Sequence, residues 1–296
     1  MNTIVGLVVM VVAMSLPLAM AVLVVLWEKR QRRLEGRRSP LAGKRAHLPG
    51  EQLRQRIAAL GEAIEERLVQ LLLVGPLALL VVLFAKVQWT ALRFTWLDWG
   101  VLAAAFGLCA WNIRKLLPLW RERRSSMDGE RAEVAVGQQL SGLQAQECLV
   151  LHDIPVEGFN IDHVVVGAAA VYAVETKSRR KAGKGKASAN VAYDGKALKF
   201  PNWVETRPLE QARAQARWLA DYLGGETGEP VPVIPVLCLP GWFVQLEREA
   251  QQAEVRVINP KMTGVFFEDG AMRRLQQAQR NRIVHALLKR YPELQD

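Results

Sequence analysis

The sequence is poor in the residues that build disulfide frameworks and zinc sites. It contains three cysteines, Cys109, Cys148 and Cys238, and their positions show no paired spacing. Both kinds of site need closely spaced cysteine or histidine pairs, so neither a disulfide scaffold nor a zinc cluster is expected. This composition fits a protein of the reducing cytoplasm. The sequence also shows no internal repeat.

Charge is absent from most of the N-terminal segment. Thr3–Leu26 comprises 24 residues without a charged side chain, enough to cross roughly 30 Å of hydrocarbon as a helix. The segment lacks both the basic start and the small-residue cleavage site of a signal peptide. We therefore predict a transmembrane helix over residues 1–27.

Two further apolar runs, Val69–Ala85 and Leu97–Ile113, predict a transmembrane helical hairpin over residues 69–120. A buried helical hairpin in a soluble protein is the alternative. Tryptophan side chains favour membrane interfaces, and they occur at or near the ends of all three runs: Trp27, Trp89, Trp96, Trp99, Trp111 and Trp120. The sequence thus predicts an all-α membrane region of three spans.

The net charge of +10 is unevenly distributed. Residues 1–120 hold 15 Lys and Arg against 7 Asp and Glu, whereas residues 121–296 hold 24 against 22. Basic residues collect between the first two spans and after the third, and cytoplasmic loops collect such residues. We therefore predict an inner or plasma membrane protein with its N-terminus outside and residues 114–296 in the cytoplasm. The basic loop would then lie against the anionic lipid bilayer.

Residues 28–68 form the predicted basic cytoplasmic loop, and its second half has an apolar stripe at helical spacing. One interpretation is an amphipathic helix that lies on the membrane or on the soluble domain. The other is a short coiled coil that forms a homodimer through residues 53–68. The stripe consists of Leu53, Ile57, Leu60, Ile64 and Leu68.

Residues 121–296 have the pattern of a cytoplasmic α/β domain. GERAEVAVGQQLSGL predicts a first helix, and CLVLHDI a strand. PLEQARAQARWLADYL predicts an amphipathic helix that ends at Gly224-Gly225. KALKF, VPVIPVLCLP and EVRVIN predict further strands, and the C-terminal residues a closing helix. We expect helices packed around one mixed sheet.

The segment NIDHVVVGAAAVYAVETK predicts a buried β-hairpin that carries charges at one end. If the hairpin is symmetric about Gly167–Ala170, Asp162 lies opposite Glu175, with Cβ atoms about 4.5–5.5 Å apart. Lys177 is two residues beyond Glu175 and shares its face, whereas His163 points to the opposite face and is expected to pack or to form hydrogen bonds.

Two adjacent carboxylates repel, and a divalent cation relieves this repulsion. Carboxylate oxygens suit Mg²⁺ or Mn²⁺, and a nearby lysine can orient or deprotonate a water or offset charge on a phosphate. The alternative is a purely structural Lys177–Glu175 ion pair.

Residues 127–245 resemble the nuclease-related domain (NERD), a branch of the PD-(D/E)XK nuclease-like superfamily. The matching segments are GERAE with VAVGQQLSGL, the strand ending HDI, NIDHVVVG, VYAVETKS and PLEQARAQARWL. The resemblance implies a restriction-endonuclease-like mixed sheet flanked by helices, and Mg²⁺- or Mn²⁺-dependent hydrolysis of phosphodiester bonds, more plausibly in DNA than in RNA.

The resemblance also implies roles for individual residues. Asp162, Glu175 and Lys177 take the catalytic positions, and Glu133 joins the two acids as a metal ligand. Glu130 stays open as an alternative to Glu133. Gln211 matches the glutamine of the later helix and is a possible substrate contact.

The run KSRRKAGKGK holds six basic residues directly after this site. It can be a solvated loop, or an arm in which Arg179, Arg180 and Lys181 contact phosphate groups. The alternative to a nuclease is a catalytically silent module that binds nucleic acid or a partner at the membrane, because an intact site does not prove turnover.

Overall fold

A computed structural model describes residues 48–84, 95–181, 189–266 and 274–291. The predicted first span and most of the basic loop lie outside these ranges. The chain divides into two compact units. One, here called the helical unit, includes Arg56–Ser125. The other, the α/β unit, includes residues 48–55 together with the chain from Ser126 onward.

Two long helices, α1 (Glu51–Phe84) and α2 (Trp96–Ser141), supply the helical unit. Arg56 pairs with Glu122 at 2.7 Å and Arg67 donates to Asn112 at 3.4 Å, so the helices run antiparallel. The predicted amphipathic segment and the second apolar run form one helix, with Pro76 inside it. Leu60 and Ile64 of the apolar stripe are already buried within the single chain. The homodimer through residues 53–68 stays a prediction.

Among the described residues, one helix, Trp99–Ala145, is long and apolar enough to cross a membrane, judged by length and composition alone. The part of α2 that corresponds to the third predicted span, together with the residues next to it, exposes many large apolar side chains. Such exposed apolar surfaces are typical of protein-interaction or membrane-contact sites. Trp96, Phe106, Trp111, Leu117 and Trp120 are each more than half exposed. The other two spans and their orientation stay predictions.

The α/β unit contains nine described strands and two further helices. The helices are α3 (Arg207–Thr227) and α4 (Gln277–Leu288). Short 3₁₀ turns occupy Gly142–Gln146, Arg248–Gln252 and Thr263–Phe266. The strands are β1 (Leu149–Val156), β2 (Phe159–Val166), β3 (Val171–Thr176), β4 (Asn190–Tyr193), β5 (Leu198–Lys199), β6 (Val204–Glu205), β7 (Val233–Cys238), β8 (Phe243–Leu246) and β9 (Arg256–Ile258).

The strands form two mixed sheets, so the expectation of one sheet is wrong. The larger sheet has the order β1-β2-β3-β7-β9, antiparallel up to β3 and parallel beyond it. The smaller has the order β6-β5-β4-β8. Its strands have two to four residues, too short for their alternation to be read from the sequence.

The larger sheet is covered on both faces, which explains the continuous apolar sequence of β3. Val171 and Ala173 pack with Leu219 of α3 and Ile283 of α4. On the other face Tyr172 packs in a second cluster, to which α2 contributes. Glu175 follows Val171 and Ala173 in the period-two alternation, so it lies on the α3 face.

Helix α3 is longer than its sequence indicates. It continues through Gly224 and Gly225 and ends at Thr227, where Gly228 adopts φ +73° and donates its N–H to the Gly224 carbonyl. The left-handed residue at the end of a helix is usually glycine. The predicted end at Gly224-Gly225 is wrong because either glycine can remain helical, and only Gly228 takes the terminating conformation.

A close contact between Pro49 and Gly137 generates a stability prediction. A Cβ at Gly137 would lie 2.4 Å from Pro49 Cγ and 2.8 Å from Pro49 Cβ, and a proline ring cannot rotate away. Gly137→Ala should therefore lower the free energy of unfolding by about 1–3 kcal/mol in chemical denaturation, as overpacking does.

The matched control is Gly225→Ala. Gly225 is also helical, and no described atom lies within 4 Å of the added Cβ. This change should stabilise the protein by up to about 1 kcal/mol, the intrinsic helix preference of alanine over glycine. Equal effects of the two substitutions would contradict the Pro49 contact.

Candidate active site

The candidate site lies where β2 and β3 separate. The predicted hairpin register is confirmed, with pairs from Val166↔Val171 to His163↔Val174. The next position in this register sets Asp162 opposite Glu175. The antiparallel ladder ends here, while Lys177 continues the pairing with β7 by donating its N–H to the Cys238 carbonyl at 3.0 Å.

Asp162 is a buried carboxylate at the end of the ladder, 6% exposed. Its Oδ2 accepts the backbone N–H of Thr176 at 2.7 Å, which fixes the side chain against β3. Burial raises the pKa of Asp162 well above its ordinary value, and the neighbouring charges of Glu175 and Glu133 raise it further. This carboxyl is therefore easier to protonate than an exposed aspartate.

Glu175 is 1% exposed, and both of its oxygens have partners. The ammonium of Lys177 contacts Oε1, and the amide of Gln215 donates to Oε2 at 2.5 Å. The predicted neighbours Glu175 and Lys177 therefore meet as an ion pair. Lys177 itself keeps partial contact with solvent, at 23% side-chain exposure.

Glu133 of α2 is the third buried acid, 8% exposed. Burial raises the pKa of Glu133 to about 8, and the charges of Asp153 and Glu175 add to the increase, while Lys177 opposes it. Glu130 instead accepts a hydrogen bond from Arg54 at 2.8 Å. Of the two candidate helix acids, the structure thus brings Glu133 to Glu175 and Lys177.

Asp153 is a fourth acid at the site, and no spacing in the sequence indicates its role. It is buried and adopts φ +53°, a conformation that aspartate tolerates better than most residues. Its oxygens accept hydrogen bonds from Asn160 Nδ2 at 2.6 Å and from the backbone of Gln52 at 3.0 Å. Burial raises the pKa of Asp153. The only signal in the sequence is its place in the segment HDI.

Gln215 is the glutamine of α3 that contacts the acids. It is 2% exposed, and its amide nitrogen donates to Glu175 and, at 3.1 Å, to the Asn160 carbonyl. Gln211, the residue that the family pattern favoured, lies one turn earlier and is half-buried. Both positions share one helix face, but a sequence does not fix which turn of a helix meets a given strand residue.

Two of the basic residues after Lys177 form ion pairs with acidic side chains of the same chain. Arg179 donates to Glu205 at 2.9 and 2.5 Å, and Arg180 donates to Asp128 at 2.7 Å. Lys181 is exposed, and residues 182–188 lie outside the described residues. The phosphate-contacting role of Arg179, Arg180 and Lys181 stays a prediction.

His152 and His163 form a buried pair on the opposite sheet face. Their Nδ1 atoms are 2.9 Å apart, so one ring donates to the other. Burial lowers the pKa of His152 to about 4 and that of His163 to about 3. Both rings are therefore neutral at neutral pH, which agrees with the hydrogen-bonding role expected for His163.

One unpartnered buried side-chain atom, Gln215 Oε1, lies beside the acids. Within the described residues, four buried side-chain nitrogen or oxygen atoms have no hydrogen-bond partner, and three of them belong to His163, Thr176 and Gln215. His163 and Thr176 directly follow Asp162 and Glu175 in their strands, so their side chains point to the opposite sheet face, whereas Gln215 contacts Glu175. Unsatisfied polar atoms beside clustered carboxylates are expected where an ion or ordered water completes the site.

The residue types fit a divalent cation with a preference for oxygen ligands. Glu133, Asp162 and Glu175 provide hard carboxylate oxygens, and the free Gln215 Oε1 provides an amide oxygen. Among the described residues, however, no group of three or more acidic, histidine or cysteine side chains is already arranged to hold an ion. The chemistry of these side chains fits such a cation. One oxygen of Glu175 is already paired with Lys177, so it is only partly available to an ion.

Residues 128–240 match the family model of the nuclease-related domain. The match contains Glu133, Asp162, Glu175, Lys177 and Gln215. Nuclease-related domains belong to the PD-(D/E)XK nuclease-like class, whose members usually use divalent metals. No curated protein and no solved structure matches the chain. Residues 128–240 are thus similar to a nuclease-related domain, and the buried acids within them lie at the end of the β2–β3 strand pair.

The raised pKa of Glu133 predicts a pH dependence of stability. In the folded protein Glu133 keeps its proton up to about pH 8, whereas the unfolded chain releases it near 4.5. The folded state therefore binds more protons between these values, and the contribution of Glu133 to stability is lost as the pH rises through this window. In EDTA, the Glu133→Gln variant should lose less stability than wild type between pH 5 and 8.

Urea unfolding at several pH values measures this difference. The matched control is Glu122→Gln, about three turns earlier on the same helix and paired with Arg56 at an exposed site, which should keep the wild-type slope. The same slope in Glu133→Gln and wild type would show that Glu133 is not held in a proton-retaining environment.

Proposed function

We propose that the protein is a membrane-anchored, metal-dependent nuclease that hydrolyses phosphodiester bonds, with DNA as the preferred substrate. The observation that carries the proposal is the convergence of Asp162, Glu175 and Lys177 at the end of the β2–β3 pair, inside the residues that match the nuclease-related domain. Mutually repelling buried acids are costly in a merely structural role, which supports a functional reason for their burial.

The residues of the site divide into ligands and positioning groups. Glu133, Asp162 and Glu175 would hold a Mg²⁺ or Mn²⁺ ion, which when bound supplies an acidified water and a Lewis acid for a phosphoryl oxygen. Thr176 fixes Asp162 through its backbone N–H, and Gln215 fixes Glu175. Lys177, partly open to solvent, would orient the attacking water or offset charge on the phosphate.

Basic residues near the site support a nucleic-acid substrate. Arg179, Arg180 and Lys181 follow Lys177 directly, and Arg180 keeps 59% of its side chain exposed although it pairs with Asp128. An exposed ion pair contributes little to stability, so a phosphate group can replace Asp128 as the partner of Arg180 at small cost. Such contacts favour any nucleic acid, because phosphates carry no sequence information.

The test is cleavage of plasmid and of DNA and RNA oligonucleotides by the full chain in detergent, with Mg²⁺ or Mn²⁺. Asp162→Ala and Lys177→Ala should each reduce the rate at least about 100-fold, the usual scale for a lost acid–base or electrostatic group. Lys199→Ala is the control, because Lys199 pairs with Asp194 and Glu247 on the small sheet. Undiminished cleavage by Asp162→Ala or Lys177→Ala would contradict the proposed mechanism.

A silent binding module is the second candidate, favoured by one observation. Both oxygens of Glu175 already have protein partners, so the acids are partly compensated without a cation. The same preparations distinguish the two functions. A metal site predicts that Mn²⁺ raises the melting temperature through Asp162 and Glu175, whereas a silent module predicts oligonucleotide binding without turnover and no carboxylate-dependent stabilisation.

We also propose three membrane spans with the nuclease-related domain in the cytoplasm, based on the apolar runs and the distribution of basic residues. The exposed apolar side chains of α2 support lipid contact. Fusions to a reporter that is active only outside the cytoplasm should give activity near Ala91 and none within residues 28–68 or at the C-terminus. Activity of the C-terminal fusion would reverse the orientation and exclude intracellular DNA as the substrate.

A further inference from the structure

The segment Leu48–Gln55, here called the strap, belongs to the same compact unit as the candidate site. It lies outside the residues that match the nuclease-related domain. The strap includes the first turn of α1, and about 70 residues of helical unit separate it in sequence from Ser126. The strap's contacts with the rest of the α/β unit therefore come from a part of the chain that the match to the nuclease-related domain does not include.

The apolar contacts of the strap fall on either side of Glu133. A Cβ at Gly129 would lie 3.0 Å from Leu53 Cδ1, and a Cβ at Gly137 would collide with Pro49. Gly129 and Gly137 are two turns of α2 apart, and Glu133 lies midway between them. Small residues at both positions let the strap approach the helix backbone closely.

The polar contacts of the strap reach the same place. Arg54 donates to Glu130 at 2.8 Å and, through Nη2, to the Pro49 carbonyl at 3.2 Å, so it joins the strap to the turn of α2 that precedes Glu133. The backbone N–H of Gln52 donates to Asp153 at 3.0 Å. Asp153 thus accepts a hydrogen bond at the N-terminus of α1, where the helix dipole favours a negative charge.

We propose that the strap is a positioning element of the candidate metal site, holding Glu133 and Asp153 in place so that strap docking and cation binding are coupled. The inference rests on the proposed function, because it takes Glu133 as a ligand of the cation. The physical reason is that Glu133 can lie near Glu175 only for one rotation of α2 about its axis and one position along that axis. The strap contacts α2 on both sides of Glu133 and can therefore fix both. Coupling between two events is reciprocal, so it can be measured from either side.

On this proposal, the start of α1 is needed for the full cation affinity of the candidate metal site. The helix that begins in the strap continues to Phe84, through the second predicted span. A chain that starts at residue 121 would lack Pro49, Gln52 and Arg54, and would leave Asp153 with one hydrogen bond fewer. Mn²⁺ binding should therefore be weaker in any variant that loosens the strap, even when Glu133, Asp162 and Glu175 are intact.

The experiment compares the full chain in detergent with its Arg54→Ala and Arg54→Lys variants, using Mn²⁺ alone as the probe. Titration followed by the electron paramagnetic resonance signal of free Mn²⁺ gives the dissociation constant. Arg54→Ala should weaken binding about tenfold, as loss of a group that orients metal ligands does, and Arg54→Lys should restore part of it. Arg56→Ala is the matched control, since Arg56 forms an exposed pair with Glu122 and should bind Mn²⁺ as wild type does.

Hydrogen exchange of the wild-type chain provides a second measurement that needs no variant. Saturating Mn²⁺ should slow amide exchange in residues 51–55 by a factor comparable to the loss of affinity in Arg54→Ala. Equal Mn²⁺ affinity in wild type and Arg54→Ala, or unchanged exchange in the strap, would overturn the coupling while leaving the metal site standing. If wild type binds no Mn²⁺, the proposed metal site fails, and the inference fails with it.

Discussion

Mutual repulsion among buried carboxylates is the constraint on which this site depends. Glu133, Asp162 and Glu175 are each less than 10% exposed, and the pKa values of Glu133 and Asp162 are raised by burial and by the neighbouring acids. Lys177 is the one cation that contacts this group among the described residues. Three acids and one base leave an excess of negative charge, which only protons or a further cation can offset.

The buried carboxylates are held in place mainly by neutral groups that donate hydrogen bonds to them. Gln215 and the Thr176 N–H donate to carboxylates without adding charge. Arg54 pairs with Glu130, whose charge also raises the pKa of Glu133, so the guanidinium offsets part of that charge from outside the group of buried acids. A cation-binding site needs strong negative potential together with fixed ligands, and donors of this kind fix ligands without cancelling the potential.

The parts of the site that could be predicted from the sequence are those set by local periodicity. The hairpin register follows from the period-two alternation and a symmetric turn, and these two features alone predict that Asp162 lies beside Glu175. The contribution of Gln215 instead of Gln211 could not be predicted, because it depends on how far α3 is shifted along its axis against β3. The small sheet and the strap could not be predicted either, because very short strands and contacts between distant segments leave no periodic signal.

The Lys177–Glu175 ion pair sets a condition on the proposed nuclease activity. A lysine that assists a water or a phosphate must direct its ammonium away from Glu175, yet here the two are in contact. Breaking the pair without replacement would leave a buried carboxylate uncompensated, at a cost of several kcal/mol. In the proposed mechanism, Lys177 is therefore free to act only when another cation neutralises Glu175. The same residues thus favour a lysine-paired state without a metal and a released lysine with one, so catalysis would depend on occupancy of the metal site.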